Sequence, residues 1–396
     1  MKTVAIICEY NPITNGHIRH LLSARRETEC DTVVCVMSGS FVQRGEAAIM
    51  DKYDRALLAV SFGADMVVEL PLIYAISPAD NFAYGAIKTI SALPGIEYIS
   101  FGSECGDVSL IQKAADLLSD EPDEYKEYLS KYLSEGNSFP RSRSLALHEY
   151  ASMHTEFEDI ASILDSPNNL LGIAYVMAIK KAGSHIKIHT VKREENDNDM
   201  SMETEYPTAS AVREALRTER YDLIEKAVHP LCFEMLRKNK PDYSVLDDLC
   251  LYKMKEINGY ELANYYDVSE GLNNRLKLAA LHAVRFADFL TEAKTKRYTM
   301  ARIKRICLYT LFDITKDTYK NALNQPPYLF VLALSKARKD ILSEAHSTCE
   351  NVLVRYSDIN KVNKDLRFMI KLDFRAQGVL SLINKTSDIK RSFILV

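Results

Sequence analysis

The chain has neither a G-x-G-x-x-G run nor a G-x-x-x-x-G-K-[ST] run, so two familiar glycine-rich phosphate cradles are excluded. No stretch of about eighteen residues is apolar throughout. The most apolar early run, 66–76, already holds Glu69 and Pro71, which argues against a transmembrane helix. There is no C-x-x-C pair among the eight cysteines, so a zinc site has little support and no metal ligand set is expected. Those cysteines (Cys8, Cys30, Cys35, Cys105, Cys232, Cys250, Cys307 and Cys349) sit mostly in apolar settings, where the thiol acts as a small hydrophobe. The start of the chain lacks a charged, then apolar, then small-residue leader. A reducing, cytoplasmic setting with no membrane partner is expected.

What is present is a large apolar complement, 47% of 396 residues, enough for two domains with a substantial core. The net charge of −4 hides an asymmetry: residues 1–220 hold 21 basic and 33 acidic residues, residues 221–396 hold 29 and 21. A basic second part suits a polyanion, although ordinary charge scatter gives the same count. Short β-branched runs at 4–8, 32–37, 66–70, 98–101 and 186–191 alternate with helical patterns at 15–28, 52–62, 79–92 and 110–118. This alternation predicts an α/β fold, a Rossmann-like doubly wound parallel sheet, over residues 1–220. A helical insertion at about 123–181 would cap it. Strand signals fade after residue 221, and 221–396 reads as mostly α-helical, with helices expected at 276–290 and 300–311.

Ligands bind such sheets at the carboxyl ends of the strands. The turns there are Glu9-Tyr10-Asn11-Pro12, Ser38-Gly39-Ser40, Glu69-Leu70-Pro71, Gly102-Ser103-Glu104 and Lys192-Arg193-Glu194. Glycine and serine in turns often reflect turn geometry alone. The first turn is the most telling. It leads through Thr14-Asn15-Gly16-His17 into a helix, with His20 one turn further on. A helix N-terminus with a glycine and a histidine is a phosphate site.

The segment Asn11-Pro12-Ile13-Thr14-Asn15-Gly16-His17 resembles the His-x-Gly-His element of the nucleotidyltransferase superfamily, with Thr14 in place of the first histidine. The runs EYNPITNGHIRH, MSGSFVQRGEAAIMDKYDRA, DMVVELPLIYA, FGSE, SPNNLLGIAY, TASAVR and KTKRYTMARIKR occur in the order found in bacterial tRNA(Met) cytidine acetate ligases. The chain therefore resembles that family along essentially its whole length. The resemblance implies a Rossmann-like ATP-binding domain, a helical tRNA-binding part, and ATP-dependent formation of N4-acetylcytidine at the wobble position of elongator tRNA(Met) through acetyl-adenylate, with AMP and pyrophosphate released. ATP, acetate and tRNA(Met) are the implied substrates and Mg²⁺ the implied ion.

By the same resemblance the ATP contacts map onto Ile7, Cys8, Glu9, Tyr10, Asn11, Pro12, Ile13, Thr14, Asn15, Gly16, His17, Ile18, Arg19 and His20, and onto Gly102, Asn168 and Arg193. His17 is the matched catalytic histidine. Thr14, the second catalytic candidate, brings a hydroxyl that donates a hydrogen bond but carries no positive charge. Gly102, after the fourth strand, would keep a side chain out of the nucleotide's way. Asn168 follows Pro167 at a helix start, where capping is an equal reading. Arg193 offers a planar fork to phosphate. Thr208, Ser210 and Arg213 form a hydroxyl-rich turn into a helix, a second phosphate element or an N-capped helix. Arg44 and Lys52 suit phosphate or tRNA, or are surface charges. Residues 294–305 carry six basic and no acidic side chains. Lys294, Lys296, Arg297, Tyr298, Arg302 and Arg305 there suit RNA phosphates and an unstacked base, or a solvated face. Two other functions remain open at this level: a tRNA-binding member weakened or silenced by Thr14, and a nucleotidyltransferase that activates another small acid.

Overall fold

A computed structural model describes residues 1–193, 199–386 and 392–396; Glu194, named among the turns above, lies outside them. Five parallel strands form the central sheet: β1 (Thr3–Cys8), β2 (Thr32–Ser38), β3 (Met66–Leu70), β4 (Ile96–Ser103) and β5 (Lys187–Lys192), in the order β3-β2-β1-β4-β5. β2 and β3 are buried along their whole length, Glu69 included, which is why they read as near-continuous apolar runs rather than alternating ones. The helices α1 (Asn15–Thr28), α2 (Lys52–Ser61), α3 (Ala79–Ile90) and α4 (Val108–Asp120) connect these strands. Strand order reverses across β1 and β4, where Ile6 lies opposite Ser100. That reversal opens the crevice in which doubly wound sheets hold ligands.

The insertion folds as helices α5 (Asp123–Ser134), α6 (Phe139–Met153) and α7 (Pro167–Lys181), and α7 packs on α3 and α4. Ser166 precedes Pro167 at its start, proline being well suited to a first helical position. A further helix, α8 (Ala209–Arg217), closes the near side of the crevice with Thr208 as its N-cap.

The second half departs from a purely helical reading. Helices do dominate, and α9 (Met300–Leu311) packs on the helix Ser244–Glu256. The helix expected at 276–290 is two, Leu272–His282 and Phe286–Ala293. The Asp288 carboxylate accepts the Arg285 N–H at 3.2 Å and starts the second one. Chain beyond residue 326 then returns to the sheet. Strand β6 (Leu329–Leu334) pairs antiparallel with β3, and β7 (Val352–Leu353) and β8 (Ile394–Leu395) pair parallel with β6. The run LFVLAL is buried at every position, and periodicity alone does not separate such a run from a buried helix. The last long helix, α10 (Arg367–Ile383), is tied to the sheet through Asp373. Its carboxylate accepts the Leu72 N–H at 2.7 Å and the Tyr328 hydroxyl at 2.5 Å.

Candidate active site

A cavity of about 650 Å³ opens at the β1/β4 reversal. Of the segment 7–20, Ile7, Cys8, Glu9, Tyr10, Asn11, Thr14, Gly16, His17, Arg19 and His20 line it. The other four do not: Pro12 and Ile13 are buried in the core, Ile18 packs against it, and Asn15 donates to the Lys226 carbonyl.

The turn after β1 is held from beneath by Arg55 of α2, fully buried. Its guanidinium donates to the carbonyls of Glu9 at 2.6 Å, Ser38 at 2.9 Å and Met50 at 3.2 Å, and to that of Gly39. Five donors in a rigid fork suit such gathering of carbonyls at the strand ends. The Asn11 side chain accepts from the Ile49 N–H at 2.7 Å. The Glu9 carboxylate accepts from the Gln43 N–H at 2.9 Å. This fixes the path by which the chain enters α1.

Thr14 and His17 form a single unit at the helix start. The Thr14 backbone N–H donates to Nδ1 of His17 at 3.0 Å, and the Thr14 hydroxyl oxygen lies 3.2 Å from the same nitrogen. Because Nδ1 accepts, the imidazole proton sits on Nε2. The Tyr10 ring packs edge-on against this imidazole, with centroids 5.3 Å apart. Burial, and then the positive charges of Arg193 and Arg213, push the His17 pKa down to about 3. His17 is therefore a neutral N–H donor, not the cation that a charge-binding histidine suggests from sequence. The Gly16 Cα faces Tyr206, whose Cβ would lie 3.4 Å from an added methyl. Arg19 stacks over that tyrosine's ring at 5.0 Å.

Across the cavity, Asn168 and Arg193 are partners: the guanidinium donates to the Asn168 side-chain oxygen at 3.3 Å. Glu104 anchors the start of α7, accepting the backbone N–H of Asn168 at 3.3 Å and of Asn169 at 3.0 Å. A carboxylate at a helix N-terminus is favourably placed. Asn169 is buried and structural, its oxygen accepting the N–H groups of Glu104 and Cys105, so the cavity-facing asparagine is Asn168. Gly102 lies within β4, and its crowding differs from the expectation. An added Cβ would fall 3.0 Å from Cδ and 3.1 Å from Cγ of Arg193, so the glycine lets the Arg193 stem cross the strand. On the near side, Arg213 donates to the Asn11 carbonyl at 2.7 Å and to the Ser210 hydroxyl at 3.0 Å. Thr208 caps α8, accepting from Ala211 N–H at 3.1 Å while donating to the Asp199 carbonyl at 2.8 Å. Ser210 and Arg213 thus face the cavity with bonding capacity that Thr208 has already committed.

The basic candidates separate. Arg44 is exposed at the cavity wall, and Arg305 also lines it. Lys52 is a correction: it is wholly buried, 2.6 Å from the Glu69 carboxylate and close to the rings of Phe330 and Phe374. Gly39 leaves the space that this Glu69 carboxylate fills. Lys52 is thus a core ion pair under the sheet edge, out of reach of phosphate or RNA. Tyr298 is likewise buried, its hydroxyl donating to the Glu270 carbonyl at 3.2 Å, so it presents no face to a base. Arg302 pairs with Asp267 at 3.1 Å, and Arg305 reaches the same carboxylate at 3.7 Å. The helix face read as solvated is therefore docked on the chain around Asp267. Lys294, Lys296 and Arg297 are exposed, Arg297 pairing with Glu270 at 2.7 Å.

Sequence reasoning missed the aromatic and apolar flank of the cavity, including Phe101, Leu171, Tyr175 and Tyr206. These come from three separate segments, β4, α7 and the chain before α8, and only the FGSE and SPNNLLGIAY runs hinted at them. Among the described residues no group of three or more His, Cys, Asp or Glu is arranged to hold a metal ion, and no helix is long and apolar enough to cross a membrane.

The model of a family described as HIGH Nucleotidyl Transferase matches residues 1–392. A tRNA(Met) cytidine acetate ligase of Caldanaerobacter subterraneus subsp. tengcongensis is 37% identical over 399 residues, covering 99% of this chain and 98% of that protein. The protein of the same name from Clostridium acetobutylicum is 38% identical over 421 residues and covers both chains fully, at 100% each. The crystal structure of Thermotoga maritima TmcAL bound with alpha-thio ATP superposes with a TM-score of 0.91 at 30% identity, covering 100% of both chains.

Proposed function

Because the chain belongs to the HIGH nucleotidyl transferase family and, within it, to the tRNA(Met) cytidine acetate ligases, we propose that it uses ATP to join acetate to the wobble cytidine of elongator tRNA(Met), through acetyl-adenylate. The observation that carries the proposal is the convergence of His17, Arg193 and Arg213 on one cavity at the strand-order reversal.

In the first step an acetate oxygen attacks the α-phosphorus of ATP. The bond from that phosphorus to the bridging oxygen breaks, and pyrophosphate leaves with the electron pair. Negative charge builds on the α-phosphate oxygens and on the leaving group. Donors already aimed at such charge are among the strongest catalytic contributors. The Nε2–H of His17 supplies one, at the N-terminus of α1, where the helix amides favour phosphate as well. Arg193 and Arg213 supply fixed positive charge from opposite walls, and Ser210 a hydroxyl beside Arg213. In the second step the cytidine N4 amine attacks the acetyl carbonyl, the carbonyl–O–P bond breaks on the carbonyl side, the amine loses a proton, and AMP departs. Mg²⁺ binds chiefly through phosphates and retained waters, so it fits this donor-poor cavity as an ion carried in on ATP.

Arg44 and Arg305 at the cavity wall and the exposed Lys294, Lys296 and Arg297 are the groups that would meet tRNA phosphates. The division into an ATP-binding part up to about residue 220 and a basic, helical tRNA-binding part beyond it is kept as a functional division, with β6 to β8 bracing the first part. Thr14 supports activity on this reading, since it holds His17 as a donor. Purified protein incubated with ATP, labelled acetate and unmodified tRNA(Met) should yield labelled N4-acetylcytidine. Intact tRNA binding with no product at high enzyme would favour the non-catalytic reading instead. Product with a different carboxylic acid but not acetate would favour the other nucleotidyltransferase reading.

A further inference from the structure

A line of hydrogen bonds runs between α1 and the paired strands β4 and β5, from the surface to the cavity, and the chemistry above leaves it unused. Nε2 of His20 lies 2.8 Å from the Ser100 hydroxyl. That hydroxyl lies 3.0 Å from Nδ1 of His189, and Nε2 of His189 lies 3.1 Å from the Glu27 carboxylate. The four residues come from α1, β4, β5 and α1 again. Glu27 is partly exposed and holds its charge, its pKa lowered by Arg26 and by His189. His20 is neutral, its pKa pushed down to about 3 chiefly by burial.

The bond directions follow from what each group can do. An ionised carboxylate only accepts, so His189 donates from Nε2. With Nε2 donating, the other ring nitrogen, Nδ1, accepts from the Ser100 O–H. The Ser100 oxygen in turn accepts from Nε2–H of His20. The proton of His20 is thereby fixed on Nε2, and its Nδ1 carries a lone pair. That Nδ1 has no hydrogen-bond partner among the described residues, and His20 lines the cavity. His17 and His20, one turn apart, thus present opposite polarity: a donor and an acceptor.

We propose that Ser100, His189 and Glu27 are positioning residues that lock His20 as a hydrogen-bond acceptor for a donor on the nucleoside of ATP, either a ribose hydroxyl or the adenine amine. The inference rests on the ATP reading above. An acceptor lone pair repels phosphate oxygens, so it suits the uncharged end of the nucleotide. His20 also lies further into α1 than His17, and Ser100 sits opposite Ile6, two residues inside the carboxyl end of β1. The triphosphate belongs at the mouth with His17 and Arg213. The nucleoside then extends inward along a wall that includes Phe101, Leu171 and Tyr175.

The test is steady-state kinetics of the full chain at pH 8 with ATP, 2′-deoxy-ATP, 3′-deoxy-ATP and purine riboside triphosphate, alongside direct ATP binding by calorimetry. Ser100→Ala should raise KM for ATP about tenfold, the order expected for losing one hydrogen bond, with kcat within about twofold. Ser100→Thr, which keeps the hydroxyl, should restore KM. One of the three analogues should bind the wild type about tenfold more weakly than ATP and bind Ser100→Ala no more weakly than ATP does; which analogue it is identifies the donor. Glu27→Gln, a change at a partly exposed side chain, guards against misfolding and should raise KM in the same direction. Unchanged KM in Ser100→Ala and Glu27→Gln, or an analogue penalty that persists in both, overturns the lock while leaving the ATP site standing. Failure of the wild type to bind ATP at all overturns both readings.

Discussion

The Thr14 backbone N–H points at Nδ1 of His17, 3.0 Å away. That bond assigns the imidazole proton to Nε2 and makes His17 a donor in a cavity where burial keeps it neutral. His17→Ala should lower kcat by about 10²–10³-fold, the usual cost of one charge-stabilising donor, and should change KM for ATP much less. His17→Asn, which keeps an N–H donor, should recover part of that loss. Steady-state rates of acetylcytidine formation measure both.

Thr14 itself should prove less critical than the missing histidine suggests. Thr14→Ala removes the hydroxyl 3.2 Å from Nδ1 but keeps the backbone donor, so kcat should fall by less than about tenfold. Thr14→His places a larger ring at a position that is 3% exposed and should destabilise the fold rather than speed the reaction. Rates together with urea midpoints for the two variants distinguish these effects.

The histidines also set a pH dependence of stability. Both His17 and His20 have folded pKa values of about 3, below the unfolded value. Between about 6.5 and 3 the unfolded chain therefore binds protons that the folded chain does not. Their contribution is complete above about pH 6.5 and is lost as pH falls toward 3, with a slope of up to about 1.4 kcal/mol per pH unit for each. Urea midpoints measured from pH 8 to pH 5 should fall, and His20→Gln should flatten the fall.

Lys52 and Arg44 should behave oppositely. Lys52→Ala strands the buried Glu69 carboxylate and should cost about 3–5 kcal/mol of stability, with no specific effect on tRNA affinity in whatever protein remains folded. Arg44→Ala should leave stability within about 0.5 kcal/mol and reduce the salt slope of tRNA binding by about one. Denaturant melts and filter binding across a salt series separate the two.

Gly102→Ala tests the crossing of Arg193. A methyl group 3.0 Å from the Arg193 Cδ must push that stem aside and away from Asn168. ATP affinity should fall by about tenfold or more, while the thermal midpoint moves little because the displaced side chain is only partly buried. Calorimetric titration with ATP measures it.

The sheet and its first helices were legible because their signals are local. β1 and β2 are short, largely apolar runs and β3 is broken only by Glu69, and α1 begins and ends where the spacing says. The phosphate loop was legible because a strand, a glycine and a histidine fall within a dozen residues. What escaped was tertiary. LFVLAL joins the sheet only because β3 offers an open antiparallel edge. Lys52 lies inside because Glu69 and two aromatic rings from distant segments surround it, and Tyr298 lies inside because the chain around Asp267 folds over α9. The line from Glu27 to His20 has no sequence signature, since bonded members sit as far apart as 162 positions and meet only through the β1/β4/β5 register.

The central claim is that acetate is activated as an adenylate in the His17 cavity, and oxygen tracing tests it most directly. With acetate labelled with ¹⁸O at both oxygens, ATP and unmodified tRNA(Met), mass spectrometry should find one ¹⁸O in the AMP released and one in the acetyl group of the wobble cytidine. Unlabelled AMP, or ADP in its place, alongside acetylated tRNA would contradict the account.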